Sequence, residues 1–336
     1  MKDYDRKENG LSRRAFFGKS AAAVAGLAIA SHPVFGAPAI IRNLGKPNSK
    51  FAGVQIGAIT YSWRSMPTDA ESILKYCVEC NISAVELMGP TAEAFAGAPH
   101  ASTEPAVRRG GGPQLSDEER VARAKELAAW RASVSMDKFE QLRKMFKNAG
   151  VSIYAYKPSA LGERNTDAEI EYALRAAKAL GASHVTVELP RRAEQSKRLG
   201  LIANRHKIAV AYHGHLQQTF TAWDEALAQS AYNGINLDAG HYVAAGFDPI
   251  PFIEAKHKHI YSMHMKDRKS KANGQDNVPW GEGDTPIVEI LQLMKKNKYK
   301  FPATVELEYR IPEGSDAVKE VAKCVEYCRK ALERKS

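Results

Sequence analysis

The sequence predicts an α/β fold in the form of a closed (β/α)8 barrel. Three observations point there. From residue 51 onward, short apolar runs alternate with amphipathic stretches to give eight βα units, the number that closes a cylinder of parallel strands. Several of the strand-like runs end in metal-ligand side chains, at Glu188, Asp238, His264 and the pair Glu306 and Glu308. Carboxylates and imidazoles at the C-terminal ends of separate strands are how such a barrel assembles a divalent-cation site. Finally, no Gly-x-Gly-x-x-Gly follows the first strand, which weakens the alternative of an open, doubly wound sheet.

The elements follow in order. Strand 54–60 and helix 70–80 open the barrel, and strand 84–87 comes next. A long insertion, about 89–135, then breaks the rhythm. It holds Arg108-Arg109-Gly110-Gly111-Gly112-Pro113 and a charged helical stretch, 117–131. Helix 137–148 stops at Asn148-Ala149-Gly150, a plausible C-cap before strand 151–156. Helix 167–180 repeats apolar residues at three and four spacing through Ile170, Ala173, Leu174, Ala177 and Leu180, and Gly181 ends it. Strands 184–189, 208–213, 234–238, 259–265 and 303–308 alternate with helices 193–205, 222–229, 249–256, 286–295 and 315–332. A second long loop, 268–285, follows the seventh strand. Both long loops follow strands, so both are expected on the face that carries the site, where insertions shape access.

The 336 residues suffice for one large domain, and 44% hydrophobic with 26% charged residues is a globular composition. The formal net charge is +10, but the basic residues are dispersed and not interleaved with aromatics, so no nucleic-acid partner is expected. Residues 1–39 look like a twin-arginine export signal. Arg13-Arg14 precedes the apolar stretch 21–30, and Ala37-Pro38-Ala39 offers a cleavage site. The expected organisation is a signal at 1–39, a linker at 40–50 and the barrel at 51–336. The expected location is the periplasm or exterior, with no stable membrane span once the signal is removed. Cys77, Cys80, Cys324 and Cys328 fall in the first and last helices, as buried apolar thiols or as a four-thiolate zinc site.

Residues 51–333 resemble the xylose isomerase-like barrel superfamily, in particular its sugar phosphate isomerase/epimerase branch. The resemblance rests on Asp238-Ala239-Gly240-His241, His264-Met265-Lys266-Asp267, Gly281-Glu282-Gly283-Asp284 and Glu308-Tyr309-Arg310. It implies that Asp238 and His264 bind a divalent metal. It also implies that Glu308 binds metal and acts on a proton, with Glu306 deeper and able to contact a ligand. The chain departs from the branch at the fifth strand, where Tyr212-His213-Gly214-His215 stands in place of a metal-binding glutamate. Two readings follow. Either His213 is itself a ligand, or Glu188 takes that place and His213 is the acid/base. The expected metal set is Glu188, Asp238, His264 and Glu308, and the expected catalytic groups are His213, Glu308 and Glu188. His241, Lys266, Lys157, Arg310, His215, Glu306 and Trp280 are the expected substrate contacts.

The resemblance implies a Mn-dependent enzyme, with Mg, Co or Zn as further candidates. It would take a proton beside a sugar carbonyl and pass through an enediolate to isomerise or epimerise the sugar. Elimination of the aglycone from a 3-keto-glycoside is the alternative on the same site, and a non-catalytic carbohydrate-binding barrel is a further one. The partner is a sugar or glycoside, and a homo-oligomer is compatible. A nuclease of the same fold is disfavoured, because the first strands offer Thr60 and Glu86 where that chemistry needs further histidines.

Overall fold

The structure, a computed structural model, describes residues 45–105 and 115–334. The expected export signal and the 108–113 run lie outside the described residues. β1 (Lys50–Phe51) pairs antiparallel with β2 (Val54–Ile59) through a two-residue turn. Ala52 and Gly53 both have positive φ there (47° and 88°), the conformation that suits a tight hairpin. The Ser49 hydroxyl donates to the Ile56 carbonyl at 2.6 Å, so the chain is already tied to the barrel where the sequence suggested only a linker.

Eight parallel strands close the barrel in chain order. They are β2, β3 (Ala84–Met88), β4 (Ser152–Lys157), β5 (His184–Glu188), β6 (Ala209–His213), β7 (Asn233–Asp238), β8 (Ile260–Met265) and β9 (Ala303–Val305), with β9 returning to pair with β2. Between them run α1 (Ala70–Glu79), α2 (Gly89–Phe95), α3 (Asp117–Ser133), α4 (Asp137–Asn148), α5 (Asp167–Leu180) and α6 (Ala193–His206). Then come α7 (Asp224–Gln229), α8 (Ala239–Ala244), α9 (Pro249–Lys256), α10 (Ile287–Asn297) and α11 (Ala317–Glu333).

α5 shows why these segments are helical. Thr166 and Glu169 form a reciprocal capping box at its start, and Gly181 ends it in the left-handed conformation (φ 79°). Ile170, Ala173, Leu174 and Ala177 form one buried face against the barrel. Burying a side chain such as Leu174 stabilises by roughly 2 kcal/mol.

The 89–135 insertion is held to the rim by one buried cation. Arg131 near the end of α3 reaches Glu93 of α2 (2.9 Å), Glu169 of α5 (3.0 Å) and the Ser159 hydroxyl (2.7 Å). Cys77, Cys80, Cys324 and Cys328 are all buried and free. Among the described residues, the clusters able to hold a metal contain no cysteine, so these thiols pack as core groups. No described helix is long and apolar enough to cross a membrane.

Candidate metal centre

Three strand ends and the loop after β9 bring His213, Asp238, His264 and Glu306 together. Their ligand atoms all lie within 4.8 Å of one another, and all four residues are buried. The β-ladder explains the convergence, since Asp238 is the register partner of His264, and His264 of Thr304. Two residues beyond Thr304, one pleat higher on the same face, stands Glu306.

The Asp238-Ala239-Gly240-His241 motif is a strand-to-helix junction. Asp238 is the N-cap of α8, and its Oδ1 accepts from the His241 backbone N–H at 2.7 Å. That leaves Oδ2 for the site. Gly240 is required at this point, because a Cβ there would lie 2.3 Å from Cγ of Lys266. The His264-Met265-Lys266-Asp267 motif divides its labour similarly. Asp267 receives the backbone N–H groups of Gly281 (2.8 Å) and Gly283 (3.0 Å), so the Gly281–Asp284 motif is the clasp of the loop after β8.

His213 Nδ1 is buried with no hydrogen-bond partner, and an orphaned buried polar atom needs a cause. Asp238 Oδ2, His264 Nδ1 and Glu306 Oε2 converge beside it, meeting one another and Lys266 as close charged contacts. Two imidazoles and two carboxylates converging in this way fit a divalent cation of the Mn, Co or Zn type. The Lys266 ammonium stands beside them, 3.0 Å from Asp238 Oδ2 and 2.7 Å from Glu306 Oε2. It gives its well-aligned hydrogen bond to Glu308 Oε2 (2.7 Å).

The electrostatics are those of a packed charge cluster. Burial opposes charge on His264, yet Glu306 and Glu86 outweigh it and push its pKa up to about 10. Burial likewise opposes ionisation of Glu306, but Lys266 and His264 hold it well below the usual carboxylate range. Burial raises Asp238, with Lys266 pulling the other way. His213 is kept neutral by burial and by the positive charge of His264 and Lys157.

The structure departs from the expected donor set at two positions. Glu188, expected as a ligand, is the last residue of β5 and half-exposed. Its carboxylate turns to Lys157 (2.8 Å) and lies 3.5 Å from His215, while His213 of the neighbouring strand occupies the cluster. Glu308, also expected as a ligand, stands one pleat above Glu306, held by Lys266 outside the four-residue group. Of the expected substrate contacts, His215, His241 and Lys266 adjoin the cluster, and Lys157, paired with Glu188, is near enough to act electrostatically on His213. Arg310 is exposed and lines a groove with Glu308. Trp280 packs edge-on to Tyr327 of α11, at 5.8 Å between ring centroids, as a partly buried core neighbour.

His213, His215 and His241 form a second group of facing imidazoles. The Arg268 guanidinium donates to His241 Nδ1, which leaves the proton of the neutral ring on Nε2. Burial, Lys266 and Arg268 push the pKa of His241 down to about 2, so the ring stays neutral. A neutral ring with its proton on Nε2 is a hydrogen-bond donor at that atom. The sequence reading missed Arg268 and also Glu86, whose carboxylate lies 2.8 Å from His264 Nε2 at the heart of the barrel. The signal for Glu86 was present, since it is an acidic residue in the middle of the apolar run Ala84–Met88.

A closed parallel barrel with a buried His/Asp/Glu cluster at its rim defines the class of protein. Residues 119–329 match the family described as xylose isomerase-like TIM barrel, and the chain belongs to that family. No curated protein matches it in sequence. Solved structures share the fold at low identity. A sugar phosphate isomerase/epimerase from Parabacteroides distasonis is 18% identical with a TM-score of 0.53, covering 85% of this chain and 98% of its own. The 3-keto-D-glucoside 4-epimerase YcjR from E. coli is 12% identical with a TM-score of 0.56, covering 82% and 99%. The IOLI protein, solved with a zinc atom bound, is 15% identical with a TM-score of 0.56, covering 84% and 100%.

Proposed function

We propose that this chain is a divalent-metal-dependent enzyme that isomerises or epimerises a sugar by taking a proton from the carbon beside a carbonyl. The observation that carries it is the convergence of four buried ligand side chains, two imidazoles and two carboxylates, at the barrel rim. His213, Asp238, His264 and Glu306 would hold the ion, Mn in the first instance and Zn or Co by the same donor chemistry. When bound, the ion supplies a Lewis acid that polarises the sugar carbonyl.

Glu308 is the proton-moving group in this reading. It is held in place by Lys266, yet its side chain keeps 22% of its surface exposed toward the mouth. Glu308 takes the C–H proton, the electron pair of that bond forms the new C=C, and the carbonyl π pair moves onto oxygen. Return of the proton to the neighbouring carbon, with the hydroxyl proton passing from the second oxygen to the first, interconverts aldose and ketose, and return to the opposite face of the original carbon gives the epimer. The Lys266 ammonium and the His241 Nε2–H would face the oxygen that gains charge. Lys157, Glu188 and His215 form an adjoining stretch of charged and hydrogen-bonding rim suited to hydroxyl groups. The names of the sugar phosphate isomerase/epimerase and the keto-glucoside epimerase on the same fold support a sugar substrate.

Heavy-water incubation with a panel of keto-sugars and glycosides, with and without Mn, tests this. Deuterium should enter the carbon beside the carbonyl only in the metal-loaded protein, and a chelator should stop it. Absence of exchange across the panel in loaded protein would sink the reading. Release of an aglycone would move it to the lyase.

We further propose export by the twin-arginine route, on the strength of Arg13-Arg14 and the apolar stretch behind them.

A further inference from the structure

Glu86 is a fully buried carboxylate that the proposed chemistry does not use. It projects from β3 into the barrel, where its two oxygens meet groups from three other strands. Thr186 of β5 donates its hydroxyl to Oε1 at 2.5 Å, and Asn236 of β7 brings Nδ2 to 3.4 Å from Oε2. His264 of β8 places Nε2 2.8 Å from the same Oε2. The Thr186 hydroxyl and the Asn236 amide both donate to this carboxylate, so the group is built as an acceptor, and it meets Nε2 as one.

We propose that Glu86 is the positioning residue of the metal centre. It claims the Nε2 proton of His264 from below, so that Nδ1 presents its lone pair upward to the ion. The two faces of the imidazole match this division. Nε2 is hydrogen-bonded inside the barrel, whereas Nδ1 faces the proposed ligands, 2.9 Å from Glu306 Oε2 and 4.0 Å from Asp238 Oδ2. A ligating histidine whose second nitrogen is held by a carboxylate has its tautomer and ring plane set, and is a stronger donor. The inference rests on the metal-centre reading above. It adds a device that reaches the ion through His264 alone.

Three variants test it, read by Zn(II) titration calorimetry and by imidazole 15N spectra of Zn(II)-loaded protein. Glu86→Leu should weaken Zn(II) binding about 10- to 100-fold. Glu86→Gln keeps an acceptor oxygen without the charge and should fall between Glu86→Leu and wild type. Wild type should show a slowly exchanging proton on Nε2 of His264, and Glu86→Gln should exchange it faster. Thr186→Val, which leaves the His264 contact in place, should bind Zn(II) within a few-fold of wild type. If Glu86→Leu does not fold, the wild-type and Glu86→Gln spectra and affinities still decide. A role in folding alone would lower unfolding midpoints and leave the affinity of folded Glu86→Gln and its His264 resonances unchanged, which would overturn the proposal. A proton found on Nδ1 of His264 in loaded wild type would overturn it as well. Equal Zn(II) affinity in wild type and Glu86→Leu, with binding lost in His264→Ala, would overturn it and spare the metal centre. A wild type that takes up no stoichiometric Zn(II) would overturn both.

Discussion

Glu306 and Glu308 share a parity and differ by one pleat, and that step separates two kinds of work. Glu306 lies within the converging ligand group, while Glu308 lies outside it, and the Lys266 ammonium contacts both. Glu306→Gln is therefore expected to lose metal by direct titration. Glu308→Gln should keep metal and lose roughly 10²- to 10⁴-fold in deuterium exchange, the range for removing a general base. If Glu308→Gln exchanges at the wild-type rate, the proton is moved by another group. His213→Ala should empty the site, because its imidazole stands where the sequence reading placed Glu188. Asp238 and His264 were legible from sequence, since each lies at or next to the end of its strand inside a compact motif. The choice between Glu306 and Glu308 was not legible, because it depends on the register of β9 against β8. That register is a property of two strands, and neither carries it alone.

At the scale of elements, the alternation of runs located the strands and helices well, because each must bury one face to form. What it left open was how the insertion is attached. α3 is mostly exposed, and its sequence reads as a solvated helix; only Arg131 is buried. Its two carboxylate partners sit 38 residues away on either side, beyond any local pattern. Arg131→Met leaves Glu93 and Glu169 buried without their cation and should cost about 3–5 kcal/mol in chemical denaturation. Arg131→Lys should recover part of this. A cost within 0.5 kcal/mol would show that the insertion does not depend on this pairing. The cysteines teach a similar lesson. Helical spacing put both pairs on buried faces, but whether four thiols converge is decided by helix packing rather than by spacing.

At the scale of the whole molecule, the barrel interior carries a pH dependence of its own. Burial pushes the pKa of His184 down to about 4 from the ordinary 6.5, with Glu86 opposing the shift and His264 adding to it. The unfolded chain takes up this proton near pH 6.5 and the folded one only near 4. The stability His184 contributes is thus complete above pH 6.5 and is lost as the pH falls toward 4, roughly 3 kcal/mol in all. Urea midpoints at pH 7 and pH 5 should differ more in wild type than in His184→Gln, and identical differences would remove His184 from the account. Export belongs to this scale too. Replacing Arg13 and Arg14 with lysine is expected to leave full-length precursor inside the cell, read by fractionation, and normal export of that variant would end the twin-arginine reading. One last consequence concerns Asp238, which spends one oxygen on the start of α8 and keeps the other for the rim. An asparagine is nearly the same shape but has a single acceptor, so it can cap the helix or face a cation but cannot do both. This position therefore has no conservative neighbour in chemical space, and a drifting sequence could change it only by giving up either the turn into α8 or the ion.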